Sequence, residues 1–156
     1  MIFSKSFGYA VRGVLYIALM QDERKYIHVE EISRKLAVPR HFMGKILKRL
    51  VKGNVINSSK GPMGGFTINE GTLSSPLIVM VSIFDSLETF KNCALKLKEC
   101  DPDNPCPLHN QMTFFQKELR EMLSGTTIND LLKNDKADFV TSLSTFPGNP
   151  KPEEIS

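Results

Sequence analysis

From Phe7 onward, apolar residues recur at three- and four-residue spacing through Ala10, Val11, Val14, Leu15 and Ala18, the period of an α-helix with one face turned inward. Ser4 or Ser6 is available as its cap. Tyr16, Ile17 and Leu19 add a second apolar flank, more than one small domain is expected to cover, so this helix is read as carrying a partner surface. A second helix is expected over about Val29 to Ala37, with Val29, Ile32 and Leu36 inward and Glu31 paired with Lys35 outward. Val38-Pro39 reads as a turn, because proline excludes helical geometry from the residue before it and suits the first turn of the next helix. The third helix runs to about Lys52, with Gly53 suited to a left-handed stop. Two β-prone runs follow, Val55 to Ser59 and Phe66 to Ile68, joined by Lys60-Gly61-Pro62-Met63-Gly64-Gly65, so the segment reads as a hairpin with a glycine-rich tip.

Beyond the hairpin, Ser75-Pro76 pairs a cap with proline at a first helical position, and the dense apolar run through Leu87 predicts a core helix packed on nearly all sides. An irregular stretch from Cys93 to His109 holds three prolines. Leu108, Met112, Phe115, Leu119 and Met122 then recur at intervals of four, three, four and three, a seam for another helix that favours homodimerisation. Gly125 ends that helix, Thr126 or Thr127 caps a short one carrying Ile128, Leu131 and Leu132, and the proline-rich polar chain after Ser144 is expected to be disordered. The fold class is therefore mainly α with a small β-hairpin wing. Residues 1–75 form a winged helix-turn-helix, 76–144 the cysteine-loop and dimerisation region, and 145–156 a tail.

Length and composition narrow the function. At 156 residues, 41% apolar and 24% charged, the chain suits one compact domain or two small pieces sharing a core, and a large catalytic barrel is excluded. The N-terminus carries no basic-then-apolar leader, and the richest apolar run, residues 77–84, falls far short of the roughly 20 residues of a membrane span. A cytoplasmic chain with no membrane partner is the expectation. The net charge of +3 conceals an asymmetry: residues 1–75 hold twelve Lys and Arg against five Asp and Glu, a net +7, whereas residues 76–156 hold eight against twelve, a net −4. A basic half joined to an acidic one points to a polyanion as partner of the first.

The third helix sharpens this. Phe42, Met43, Ile46, Leu47 and Leu50 share one side, while His41, Gly44, Lys45, Lys48 and Lys52 lie opposite, flanked by Arg40 and Arg49. A short helix presenting donors and no acid, entered through a tight turn, has the form of a recognition helix in a major groove. The glycines of the wing, Gly64 and Gly65, let backbone approach a phosphate, and Lys60 can enter or edge the minor groove. The tip lacks the terminal Gly-Lys-Ser/Thr of a nucleotide-binding loop, which excludes an ATPase or GTPase.

All three cysteines fall within one loop, as Cys93-x6-Cys100-x5-Cys106-x2-His109. Three thiolates and one imidazole suit zinc or an iron–sulfur cluster. The absence of a close cysteine pair and the wide intervals favour the bulkier inorganic core, while redox-active thiols remain an alternative. A nucleophile–base–orienter set is missing, so no enzyme is expected.

The run from Leu36 to Phe66, especially Phe42, Leu47, Arg49, Leu50 and the Lys60–Phe66 wing, followed by three cysteines before a long helix, resembles the Rrf-two family of bacterial transcription regulators. The resemblance covers roughly residues 1–135. It implies a homodimer that binds a palindromic operator in double-stranded DNA, with an affinity set by a [2Fe-2S] or [4Fe-4S] cluster that reports redox state, nitric oxide or iron–sulfur status. Cys93, Cys100 and Cys106 match the family's cluster ligands and His109 the fourth ligand of some members. Gly8 stands where other members supply an acidic ligand. The alternative is a cluster-free winged-helix regulator controlled by a partner protein or small ligand.

Overall fold

The computed structural model describes residues 2–95 and 99–133. The expected tail lies outside them. Helix α1 (Lys5–Met20) begins where Ser4 accepts a hydrogen bond from the Phe7 amide, the first of the two expected caps. It runs through the centre of the molecule, against α2 (Val29–Leu36), α3 (Arg40–Lys52), the hairpin strand β2 (Gly65–Ile68), α4 (Leu77–Phe84) and α6 (Ile128–Leu132). These neighbours bury Tyr16, Ile17 and Leu19, so the second apolar flank is covered within the chain and the expected partner surface is not there. The physical reason is that the acidic half folds onto the basic half, and side chains of both enter one core.

Helix α2 ends at Ala37, which takes left-handed geometry (φ 53°, ψ 46°), and Pro39 sits at the cap of α3 rather than inside its first turn. The expected Glu31–Lys35 pair does not form. Glu31 instead receives two hydrogen bonds from Arg24, at 2.5 and 2.6 Å, and one from the Tyr16 hydroxyl at 2.7 Å. Nor is Gly53 left-handed: its φ is −82° and Asn54 takes the positive φ. A Cβ at 53 would instead lie 2.6 Å from Ile83 Cδ1 of α4, so a side chain there would have to displace the end of that isoleucine.

Strand β1 (Ile56–Ser59) pairs antiparallel with β2, Ile56 opposite Ile68 and Ser59 opposite Gly65. Ile27, ahead of α2, adds a third rung by exchanging two 2.9 Å backbone hydrogen bonds with Phe66. After the wing, Ser75 bonds to the Gly71 carbonyl instead of capping α4, and Pro76 takes the cap position. Helix α4 stops at Phe84, where Asp85 turns extended. It buries Leu77, Met80, Val81 and Phe84 but leaves Val79 and Ser82 exposed, so the apolar run through Leu87 is a half-covered helix and a 3-10 turn, not a helix enclosed on all sides. Helix α5 (His109–Gly125) packs on α4, and Thr127 opens α6 with a reciprocal pair of hydrogen bonds to Asp130.

Candidate nucleic-acid interface and cysteine loop

On α3, the buried side chains are Met43, Ile46, Leu47 and Leu50, which press the helix onto α1 and α2. His41, Lys45, Lys48 and Lys52 are exposed on the other side, as the periodicity required. Gly44 opens a gap among them, with nothing within 4 Å of where a Cβ would stand. Arg40 is exposed but shared, with Glu30 at 2.7 Å. Arg49 is turned away from that face: it donates to the Ile83 carbonyl and stacks 4.5 Å from the Phe84 ring centre. The flank of the basic face therefore ties α3 to the end of α4.

At the wing, Lys60 is exposed and Met63 is 88% exposed at the tip. Gly64 is buried, and a side chain there would strike the Ser59 carbonyl. At Gly65 (φ +136°) a Cβ would stand 2.6 Å from the Ile27 carbonyl oxygen. Both glycines are thus demanded by close backbone packing within the wing and against residue 27.

The cysteine loop hangs between α4 and α5. Gln116, buried on α5, donates to the Asn92 carbonyl at 2.8 Å, and the Cys100 amide donates to the Lys91 carbonyl at the same distance, so the loop is pinned at both sides. Cys93 and Cys106 are buried and Cys100 half-buried, with no disulfide among them. Desolvation, then the neighbouring Cys93 thiol and more weakly Cys106, push the Cys100 thiol above its usual range. Cys100 therefore lies within electrostatic reach of each of the other two thiols. His109 starts α5, its amide bonded to the Cys106 carbonyl at 2.9 Å. Among the described residues, however, no three His, Cys, Asp or Glu side chains converge tightly enough to hold a single metal ion. The donor set fits a sulfur-ligated core in chemistry; its four members are not drawn together as a finished site. Beside Cys100 lies a notch of about 370 Å³ whose charged lining is Lys91, Lys117, Arg120 and Glu99.

The α5 seam faces partly outward: Phe115 is 46% and Met122 53% exposed, while Met112 and Leu119 are half-buried. Sequence periodicity missed three features. Gln116 is polar in an apolar seam, Asp85 accepts from the Ser4 backbone and hydroxyl at 3.1–3.2 Å, and Lys25 with His28 lines a second notch. Only the first carried a signal, a polar residue between two seam positions.

The family model for Rrf2, an iron-dependent transcriptional regulator, matches residues 3–134. The chain belongs to the Rrf2 family. This Rrf2 protein is 32% identical over 134 residues to an HTH-type transcriptional regulator of Aquifex aeolicus, covering 85% of this chain and 92% of that one. It is 23% identical to the HTH-type transcriptional regulator IscR of Klebsiella pneumoniae, over 82% and 77% of the two chains. Among solved structures, CymR, the global cysteine regulator of B. subtilis, matches with a TM-score of 0.69 at 14% identity, over 85% of this chain and 96% of that one. IscR of T. potens matches with 0.67 at 16%, over 86% and 88%. The Rrf2 fold, winged and mainly helical, is thereby fixed, and no described helix is long and apolar enough to cross a membrane.

Proposed function

We propose that this Rrf2 protein is a cytoplasmic, homodimeric, DNA-binding transcription regulator whose grip on a palindromic operator depends on an iron–sulfur cluster at its cysteine loop. The observation that carries the DNA reading is the exposed, acid-free basic face of α3 beside a wing that also presents a lysine. Arg40, His41, Lys45 and Lys48 serve the major groove, whose edges and phosphates accept such donors. Lys60, with the Gly64 and Gly65 backbone, serves the flanking backbone or minor groove, where Met63 offers an apolar group of the kind that enters between base steps. The α5 seam supplies the twofold contact, since Phe115 and Met122 stand in a heptad pattern and remain half-exposed on their own chain.

For the sensing half, Cys93, Cys100 and Cys106 would hold the cluster, with His109 as the fourth ligand, and [2Fe-2S] is preferred to [4Fe-4S]. Such a cluster supplies a redox- and nitric-oxide-sensitive centre. The chain's own part is to carry three thiols on one loop and to join that loop to the clamp. Arg49 rests the end of α3 on the end of α4, and Asp85, one residue further on, holds the start of α1. A loop rearrangement that shifts α4 therefore acts on both helices that set the clamp's geometry.

A second reading, a cluster-free regulator answering to a small anionic ligand, is favoured by the notch beside Cys100 and by the likeness to CymR, a cysteine regulator by description. Anaerobic purification separates them. Visible absorbance with about two or more irons per chain supports the cluster, as the sulfur ligation requires. Colourless, iron-free protein that still shifts a selected duplex supports the ligand. Lys48→Ala is expected to weaken binding across many sequences and flatten the salt dependence; an unchanged slope of log K against log salt removes Lys48 from the interface.

A further inference from the structure

Between the segment that precedes α2 and the tip of the wing lies a notch of about 410 Å³, lined by Arg24, Lys25, Tyr26, His28, Pro62, Met63 and Gly64. No acid lines it. Arg24 is already committed to Glu31 by two hydrogen bonds. Lys25 is exposed, lies 5.5 Å from the Tyr26 ring centre, and makes no ion pair with a described residue. His28 is exposed at the start of α2 and its side chain gives the helix no capping hydrogen bond. Two donors therefore stand at an acid-free opening, neither held in a salt bridge among the described residues.

The position of this opening is fixed by three contacts. Glu30, in the first turn of α2, pairs with Arg40 at the start of α3. Ile27 pairs with Phe66 of β2 through two 2.9 Å hydrogen bonds. Gly65 has no side chain, which lets the wing close on the backbone of residues 27 and 28. The start of the basic helix, residue 28 and the wing thus form one continuous, rigidly joined edge. A duplex seated on α3 with the wing beside it brings a sugar-phosphate strand along that edge.

We propose that this notch is a clamp for a backbone phosphate of the duplex, gripped by Lys25 and His28 on the flank of the wing. The proposal rests on the DNA reading above and extends the interface to a segment outside both the recognition helix and the wing. Its chemistry is that of a singly charged phosphodiester oxygen meeting an ammonium and an imidazole N–H. A free phosphate ion shares that chemistry and is separated by the test.

The test is fluorescence anisotropy of a labelled random-sequence duplex with the full-length protein, at salt from about 50 to 200 mM, where each phosphate contact adds about 0.9 to the slope of log K against log salt. Lys25→Gln is expected to reduce the slope by about 0.9, so that it loses roughly 3.5-fold less affinity than the native protein over that range. His28→Gln is expected to lower the slope by a smaller amount, and Lys133→Gln, remote from the edge, to leave it unchanged. An unchanged slope in Lys25→Gln beside a reduced one in Lys48→Ala overturns the clamp and spares the DNA reading. Unchanged slopes in both overturn the two together. Saturable shifts of the Lys25 and His28 amide resonances with low-millimolar inorganic phosphate, at an unchanged duplex slope, make the notch a free-anion site and also overturn the clamp.

Discussion

The winged-helix half and the cysteine-loop half solve opposite problems with the same kind of chain. In the first, each element is locked to the next: Ala37 and Pro39 set the α2–α3 turn, Arg24 and Tyr16 fasten Glu31, and Ile27 fastens the wing. Its basic face is already exposed on the single chain. In the second, the candidate ligands are neighbours without being a finished site, and the apolar seam of α5 waits for cover. The contrast teaches that the basic face is complete within one chain, whereas the sensing and assembly proposed for the second half depend on something added to it. A basic face joined to an unfinished site is an arrangement in which an added group can bias affinity, by stabilising one of two conformations of the clamp over the other.

The contrast breaks most visibly at the seam. Phe115→Glu places a charge on the proposed twofold contact in both copies; Phe115 is 46% exposed on its own chain, so with about 1 kcal/mol of apolar burial lost per copy and a carboxylate desolvated in each, the dimer dissociation constant is expected to rise by at least about 100-fold. Sedimentation equilibrium reads this directly, and near-native circular dichroism of the variant is the expected sign that the winged-helix half persists. A dimer constant left unchanged moves the assembly surface elsewhere. Arg49→Met severs the tie between the halves. It removes the hydrogen bond to Ile83 and the stacking on Phe84 but keeps the stem, so a loss of about 1–2 kcal/mol in stability is expected from urea unfolding.

The smallest effect lies inside the clamp. The Arg24 guanidinium, and after it the Tyr16 hydroxyl, hold the Glu31 carboxyl below its ordinary value. Burial, and then Glu31, keep the Tyr16 hydroxyl protonated far into alkaline solution. A folded-state pKa below the unfolded one contributes stability that is complete above the unfolded value and is lost as pH falls through the folded value. Glu31→Gln is thus expected to flatten the decline in unfolding free energy, read from urea denaturation, below about pH 4.5, by less than about 1 kcal/mol because solvent screens the pair.

Much of this was legible in the sequence where one periodic face met one core. The three helices of the first half, the hairpin with its glycine-rich tip, and the outward cations of α3 all follow from apolar spacing and turn residues. What escaped were effects of the second half folding back on the first. Tyr16, Ile17 and Leu19 looked like surplus until the neighbours of α1 in both halves buried them, and Gly53 looked like a left-handed stop although it is not left-handed and stands against Ile83 of a distant helix. Likewise, the cysteine spacing placed three thiols on one loop, but spacing along an irregular loop does not specify how closely the candidate ligands converge, and among the described residues no three of them do.

The most direct measurement is the dissociation constant for a selected duplex, taken anaerobically on iron-loaded protein and on the same preparation after chelation. A ratio of roughly 5 to 150 between the two, equivalent to a coupling of about 1–3 kcal/mol, is what the account predicts. Equal constants, in protein that demonstrably gains and loses its iron, contradict it.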